Sequence, residues 1–267
     1  MTATGDVGGF VLIDPATGIA TLRFERPEVL NALDLATARA FAAAVERVTR
    51  DPDVRVIVLS GAGRAFMAGG DVGSFAAAGA DVAAVVHGLL DAVHPAVLAL
   101  RAAPAPVVAL VRGAAAGAGF SFVLGADVVV AEETAAFLVA YDRLGATPDC
   151  GGTWFLERRV GRARAFELML TGRRLTATEA RDIGIVTEVV PAGELEARGQ
   201  ALAETIARGP THAFGRFKRL LDEAPSRRLA EQLEAERAAF VAGTGTADFR
   251  EGVAAFLAKR PPSFHGR

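Results

Sequence analysis

Three short segments hold the residues whose types and spacing could do chemistry. RAFMAGGD (64–71) and GAAAGAGF (113–120) each follow an apolar run, one ending at Ser60 and the other at Val111. Small residues where a strand ends and a helix begins leave backbone N–H groups unpaired and able to face a ligand oxygen. The same residues also permit close backbone packing, so either segment alone reads both ways. Two of them behind two parallel strands favour a ligand, because ligands in open parallel sheets sit beyond the carboxyl ends of the strands. The third segment, TPDCGGTW (147–154), is first a turn signal, and its Asp149 is also a candidate acid/base. Cys150 has no evident base to activate it and reads more simply as a small buried hydrophobe. His87, Asp91 and His94 share one stripe of a helix, a spacing that could hold a metal. Paired histidines on a helix are usually polar-face residues, so no metal is expected, and Pro95 is expected to end that helix.

Those segments need a scaffold. The runs 18–24, 54–60, 106–111 and 126–131 read as strands. The second is nearly continuous in apolar residues, as a strand covered on both faces must be. Between them, Phe41, Ala44, Val45 and Val48 give a helical stripe within 35–50, and Val82, Val85, Val86, Leu89, Leu90 and Val93 give another within 81–93. Alternating strands and helices mean crossovers and a largely parallel sheet, hence an α/β fold. The last third turns helical, over 200–208, 211–223, 229–241 and 249–260, punctuated at Gly209-Pro210 and 243–245. The expected division is a core over 1–200 and a helical assembly region over 201–267.

Composition removes several classes. The chain has 267 residues, 51% hydrophobic and 22% charged, with a net charge of −2, which describes a globular protein and argues against a nucleic-acid partner. Arg158, Arg159, Arg162 and Arg164 cluster near Glu157 and Glu167 and read as a solvated face. A single cysteine excludes an intrachain disulfide and fits a cytoplasmic location. Asp6 and Asp14 without a basic stretch argue against a signal peptide, and no segment resembles a membrane span. The phosphate loop, the dinucleotide fingerprint, the serine-hydrolase elbow and the HExxH motif are all absent.

The three segments, in this order and spacing, resemble the crotonase (enoyl-CoA hydratase/isomerase) family. The resemblance begins at ERPEVLNALD (25–34), continues through GRARAFELMLTGRRLTATEARDIGIVTEVV (161–190) and ends in DFREGVAAFLAKRPPSF (248–264). It implies a crotonase-type (ClpP-like) spiral of ββα units with a C-terminal helical trimerisation region, an acyl-CoA thioester as substrate, and a homotrimer or dimer of trimers. Coenzyme A enters as part of the substrate, and no tightly bound cofactor is implied.

By motif position, the resemblance places an oxyanion hole at the amides of Gly70 and Ala118. Fixed dipoles there would hold an enolate better than the ground-state thioester. It places Ala68, Phe256 and Lys259 at the coenzyme, and Phe137, Tyr141, Ser121 and His94 around the acyl group. Hydratases of the family use two glutamates, and the matching positions here are Ser121 and Tyr141. Two neutral groups activate water poorly at pH 7. Asp149 is then the remaining acid/base, and one carboxylate suffices for an isomerisation. The subfamily implied is that of the ring-1,2-epoxyphenylacetyl-CoA and Δ3,Δ2-enoyl-CoA isomerases. Three alternatives stand beside it: a hydratase-like lyase, a hydrolase similar to 4-chlorobenzoyl-CoA dehalogenase using His94 and Asp149, and a non-catalytic CoA binder.

Overall fold

The apolar runs are continuous because the sheet they enter is covered on both faces. A computed structural model describes residues 10–14 and 16–266. Asp6 lies outside the described residues. Six strands pair in the order β1 (Val11–Asp14), β2 (Ile19–Phe24), β3 (Val56–Gly61), β4 (Val107–Val111), β6 (Val128–Glu132) and β9 (Glu188–Val190). Only the β1–β2 pair is antiparallel. Alternate side chains divide as the strand period requires. Ile57, Leu59, Val107, Ala109 and Val129 enter the main core. Val56, Val58 and Val108 pack on the other face with Ala203 and Ala207 of a helix. A second sheet, unexpected from sequence, joins β5 (Ala114–Ala116), β7 (Ala136–Leu138) and β8 (Leu175–Thr176).

The helices are α1 (Leu35–Arg50), α2 (Val72–Ala78), α3 (Val82–Ala102), α4 (Ala118–Gly125), α5 (Gly152–Val160), α6 (Arg162–Thr171), α7 (Ala177–Asp182), α8 (Leu195–Ala207), α9 (Thr211–Glu223), α10 (Leu229–Thr244) and α11 (Ala247–Leu257). In α1 the stripe of Phe41, Ala44, Val45 and Val48 is buried, and Asp34 caps its first turn by accepting from the Thr37 amide. In α3 the helix continues through Pro95 to Ala102, against the expected stop. Proline removes one donor and crowds one carbonyl, and the burial of Ala96 and Leu100 beyond it outweighs that cost. Val82, at the other end of the expected stripe, is exposed. The helical stretch Val72–Ala102 is long and apolar enough to cross a membrane by length and composition alone, a property that core helices share. Leu89, Val93, Ala96 and Leu100 from this stretch are packed in the core.

Residue 200, the expected division, falls inside α8. That helix lies on the main sheet, its Gly199 so close to Leu110 that an added Cβ would come within 2.4 Å. The helices beyond it are less committed. α10 buries none of its residues, and α9, α10 and α11 enclose an apolar groove of about 760 Å³ that includes Phe217, Phe240 and Phe256.

Candidate active site

Backbone pairing brings the two glycine segments together. Met67 forms a parallel bridge with Ala115, its oxygen accepting from the Ala116 amide at 2.9 Å. Gly70 bridges Leu33 through its neighbours: the Leu33 amide donates to the Gly69 oxygen at 2.8 Å, and the Asp71 amide to the Leu33 oxygen at 3.0 Å. In a parallel bridge the flanking residues supply those bonds, so the Gly70 amide points the other way. It has no hydrogen-bond partner among the described residues. On the facing segment, the first helical bond of α4 runs from the Ser121 amide to the Gly117 oxygen, leaving the Ala118 amide free at the helix N-terminus.

The two amides are neighbours because the chains touch at glycines. Gly69 and Gly117 take positive φ, +98° and +55°. A Cβ at Gly69 would lie 3.5 Å from the Ala118 nitrogen and 3.1 Å from the Ala116 oxygen. Side chains there would separate the segments. Gly70 and Ala118 thus offer, on adjoining segments, two amides unpaired among the described residues, the kind of donor an oxyanion hole needs. The Phe75 ring lies over Gly70, 2.8 Å from where its Cβ would be.

Asn31 holds this loop from beneath. Its buried side-chain amide donates to the oxygens of Ala62 and Ala65, both at 2.9 Å, and of Phe66 at 3.2 Å, while its own oxygen accepts from the Arg26 amide. The Arg26 side chain pairs with Asp34 and Asp71, the caps of α1 and α2. Neither role was expected. The signal available was an asparagine set between a proline turn and a helix cap; Leu30 and Asn31 both have φ near +60° there, a region asparagine tolerates.

Asp149 enters from a turn that the sequence announces. The Gly152 amide donates to the Asp149 oxygen at 2.8 Å, and Cys150 and Gly151 between them have φ of +52° and +80°. α5 begins at once. The half-buried Asp149 Oδ1 accepts from the Tyr141 hydroxyl at 2.5 Å, at the short, strong end of O–H···O⁻ bonds. Burial, and then the Asp149 charge and hydrogen bond, push the Tyr141 phenol upward in pKa. Burial and the same carboxylate push the Cys150 thiol upward. Both groups stay protonated at neutral pH, so Cys150 is no thiolate nucleophile. Ser121, 2% exposed, is packed against the turn: a Cβ on Gly152 would come 2.5 Å from its Oγ. Of the two positions expected to replace the glutamates, Tyr141 donates to Asp149, while the Ser121 hydroxyl donates to the Gly117 oxygen at 3.4 Å.

Arg159 ties the two halves of the site at their far ends. From α5 it donates to the oxygens of Leu124 and Ala126, the last turn of the helix whose first amide is Ala118. This corrects the reading of its cluster as a solvated face. Arg158 lies over the Trp154 ring at 3.6 Å, and Arg162 over Phe166.

The remaining expected residues divide. Phe137 is fully buried beside Phe120, in the core behind the site. His94 is exposed on α3 and makes no hydrogen bond or ion pair among the described residues, so no contact joins it to Asp149. His87 pairs with Asp91 at 3.1 Å, and no group of three metal-ligating side chains occurs among the described residues. The Ala68 amide donates to the Leu30 oxygen at 3.0 Å. Phe256 is 83% exposed and far along the chain, at the end of α11. Lys259 follows it with φ of +53°. The Lys259 and Arg260 amides close the helix on the oxygens of Phe256 and Ala255, a Schellman ending that normally takes glycine.

Two unpaired amides on adjoining glycine segments and a carboxylate on a turn suit chemistry at a thioester, and comparison with known proteins gives the family. The model of the enoyl-CoA hydratase/isomerase family matches residues 14–267. The chain belongs to this family, the crotonase family. A probable enoyl-CoA hydratase of Rhodobacter capsulatus is 44% identical over 94% of this chain and 95% of its own. The 1,2-epoxyphenylacetyl-CoA isomerase of Escherichia coli is 39% identical over 97% and 99%. The crystal structure of an enoyl-CoA hydratase from Polaromonas superposes with a TM-score of 0.87 at 36% identity, covering 92% of this chain and 96% of that one.

Proposed function

We propose that this chain is an acyl-CoA isomerase in which Asp149 moves a proton while the thioester oxygen rests on the Gly70 and Ala118 amides. The observation that carries the reading is the set of groups around the reacting carbon. Asp149 is the carboxylate in the turn segment, and its neighbours Tyr141 and Cys150 keep their protons at neutral pH. Hydration requires a base for water and an acid for the α-carbon. Isomerisation requires one group that takes a proton and returns it. Each amide donor of an oxyanion hole is worth about 10²–10³ in rate.

The substrate is an unsaturated or ring-epoxide acyl-CoA, a choice supported by the name of the Escherichia coli relative. Other relatives are named hydratases, so hydration is the reading to be tested against. The exposed His94 does not favour the dehalogenase-like alternative. Coenzyme A arrives with the substrate, against Ala68, Phe256 and Lys259. The unburied α10 and the apolar groove beside it support a homotrimer or dimer of trimers built through residues 201–267. The enzyme works in the cytoplasm without a tightly bound cofactor, nucleic acid or membrane.

The test is a mass-resolved assay in deuterated water with a 3-enoyl-CoA and, separately, a 2-enoyl-CoA. A product of unchanged composition with the double bond moved is expected. A product heavier by one water from the 2-enoyl-CoA would replace isomerisation by hydration. No change with either, or with a ring-epoxide acyl-CoA, would leave a CoA binder.

A further inference from the structure

We propose that Tyr141 is the positioning residue that makes Asp149 a single-oxygen base, so that the proton taken from one carbon is the proton delivered to the other. The inference rests on the isomerase reading and adds to it a role for Tyr141. Three observations carry it. The Tyr141 hydroxyl sits 2.5 Å from Oδ1 of Asp149, committing that oxygen. Tyr141 is itself 8% exposed, and its ring packs against Gly117, with Cζ 3.9 Å from where a Cβ would be, so the phenol is held in place. The phenol proton therefore runs one way, from Tyr141 to the carboxylate. Finally, the turn bearing Asp149 is short and closed by the Gly152 amide, so its backbone is fixed as well. Only Oδ2 is left to meet substrate.

The step balances without a co-reactant. For a 3-enoyl-CoA, Oδ2 takes a proton from C2; the C–H pair enters the dienolate, whose oxygen charge rests on the two amides. The O–H bond then breaks and a C–H bond forms at C4. A carboxylate free to turn would exchange its proton with water between these events. A clamped one, walled by Tyr141 and Cys150, holds it. Loss of the clamp removes one hydrogen bond to a charged group, a fall in kcat of roughly 10–100-fold.

The experiment uses the full chain and a 3-enoyl-CoA deuterated at C2, in ordinary water, and reads deuterium at C4 of the product. Wild type is expected to transfer a substantial fraction. Tyr141→Phe, which keeps the ring, is expected to lower that fraction at least threefold and kcat by the stated amount, with KM within about twofold. Transfer and kcat unchanged in Tyr141→Phe would overturn the proposal, as would no transfer in wild type. A second measurement is independent of turnover. Tyr141 is the only tyrosine in the chain, so growth on 3-fluorotyrosine labels this site alone. Its fluorine resonance is expected to shift in Asp149→Asn, and an unmoved resonance would overturn the clamp. Turnover surviving in Asp149→Asn would instead sink the isomerase reading, whatever the fluorine signal shows.

Discussion

Replacing Gly119 by alanine tests the oxyanion hole without touching either donor. A Cβ at this position would lie 2.4 Å from the Met67 oxygen, 2.7 Å from its Cβ and 3.0 Å from its carbonyl carbon. Contacts of this kind relax at roughly 3.4–4 Å, so the segment bearing Met67 must retreat from α4 by about 1 Å. Backbone atoms cannot swing aside as a side chain can. The retreat stretches the bond from the Ala116 amide to the Met67 oxygen, now 2.9 Å, beyond useful range. Gly70 lies three residues further along and moves with it. A misplacement of about 1 Å costs roughly 10²-fold, and removal of a donor about 10²–10³-fold. The expected result is a kcat down about 10²-fold, with KM changed less, because, of the expected coenzyme contacts, only Ala68 moves with the segment while Phe256 and Lys259 lie elsewhere. Overpacking should also cost about 1–3 kcal/mol of stability. The assay pairs steady-state kinetics with the infrared stretch of a ¹³C-labelled thioester carbonyl in the bound state, which shifts upward as hydrogen bonds weaken. Gly243→Ala is the control, since an added Cβ there meets nothing within 4 Å. A Gly119→Ala protein that is folded, has kcat within threefold of wild type and shows an unmoved carbonyl stretch would refute the reasoning.

Other perturbations follow from the same geometry. Because burial and then the Asp149 charge raise the Tyr141 phenol, tyrosinate absorbance should appear well above the ordinary range near pH 10, and Asp149→Asn should bring it down. Lys259→Gly relieves a left-handed residue at a helix end and should raise stability by about 1 kcal/mol; if this lysine meets the coenzyme phosphate, KM rises several-fold while kcat holds, and an unchanged KM removes it from the site. Glu251 accepts from both Arg260 nitrogens and from the Ser263 amide, which hold its pKa down at about 2. A folded-state value below the unfolded 4.5 means stabilisation that is full above pH 4.5 and lost as the pH falls toward 2. Exchange of the Ser263 amide, corrected for intrinsic rate, should therefore accelerate across that window, and in Glu251→Gln it should already be fast at pH 6.

Much of the scaffold was legible because it obeys local rules. α1 carries its cap and its stripe in sequence order, and the strands declare themselves by continuous apolar runs closed by glycine or a charged residue. The glycine segments were legible as strand-to-helix junctions, and Asp149 as a turn residue. What stayed hidden depends on distant partners. β5 and β7 are three residues each, too short for any period to show. Pro95 obeyed its local rule in sequence but yielded to the burial of Ala96 and Leu100. The Tyr141–Asp149 bond spans a loop flanked by Ala140 and Cys150, both at a φ unusual for their types, so the sequence between its ends gave no hint of 2.5 Å. Arg159 looked solvated among other arginines because the carbonyls it caps lie 33 and 35 residues away.

The central claim is that one carboxylate on a turn does the proton chemistry. The most direct measurement is turnover of Asp149→Asn with a 3-enoyl-CoA, alongside CoA-thioester binding by calorimetry. Loss of isomerisation by at least 10³-fold, with Kd within a few-fold of wild type, is the predicted result. Turnover within tenfold of wild type would contradict it and move the acid/base to another residue.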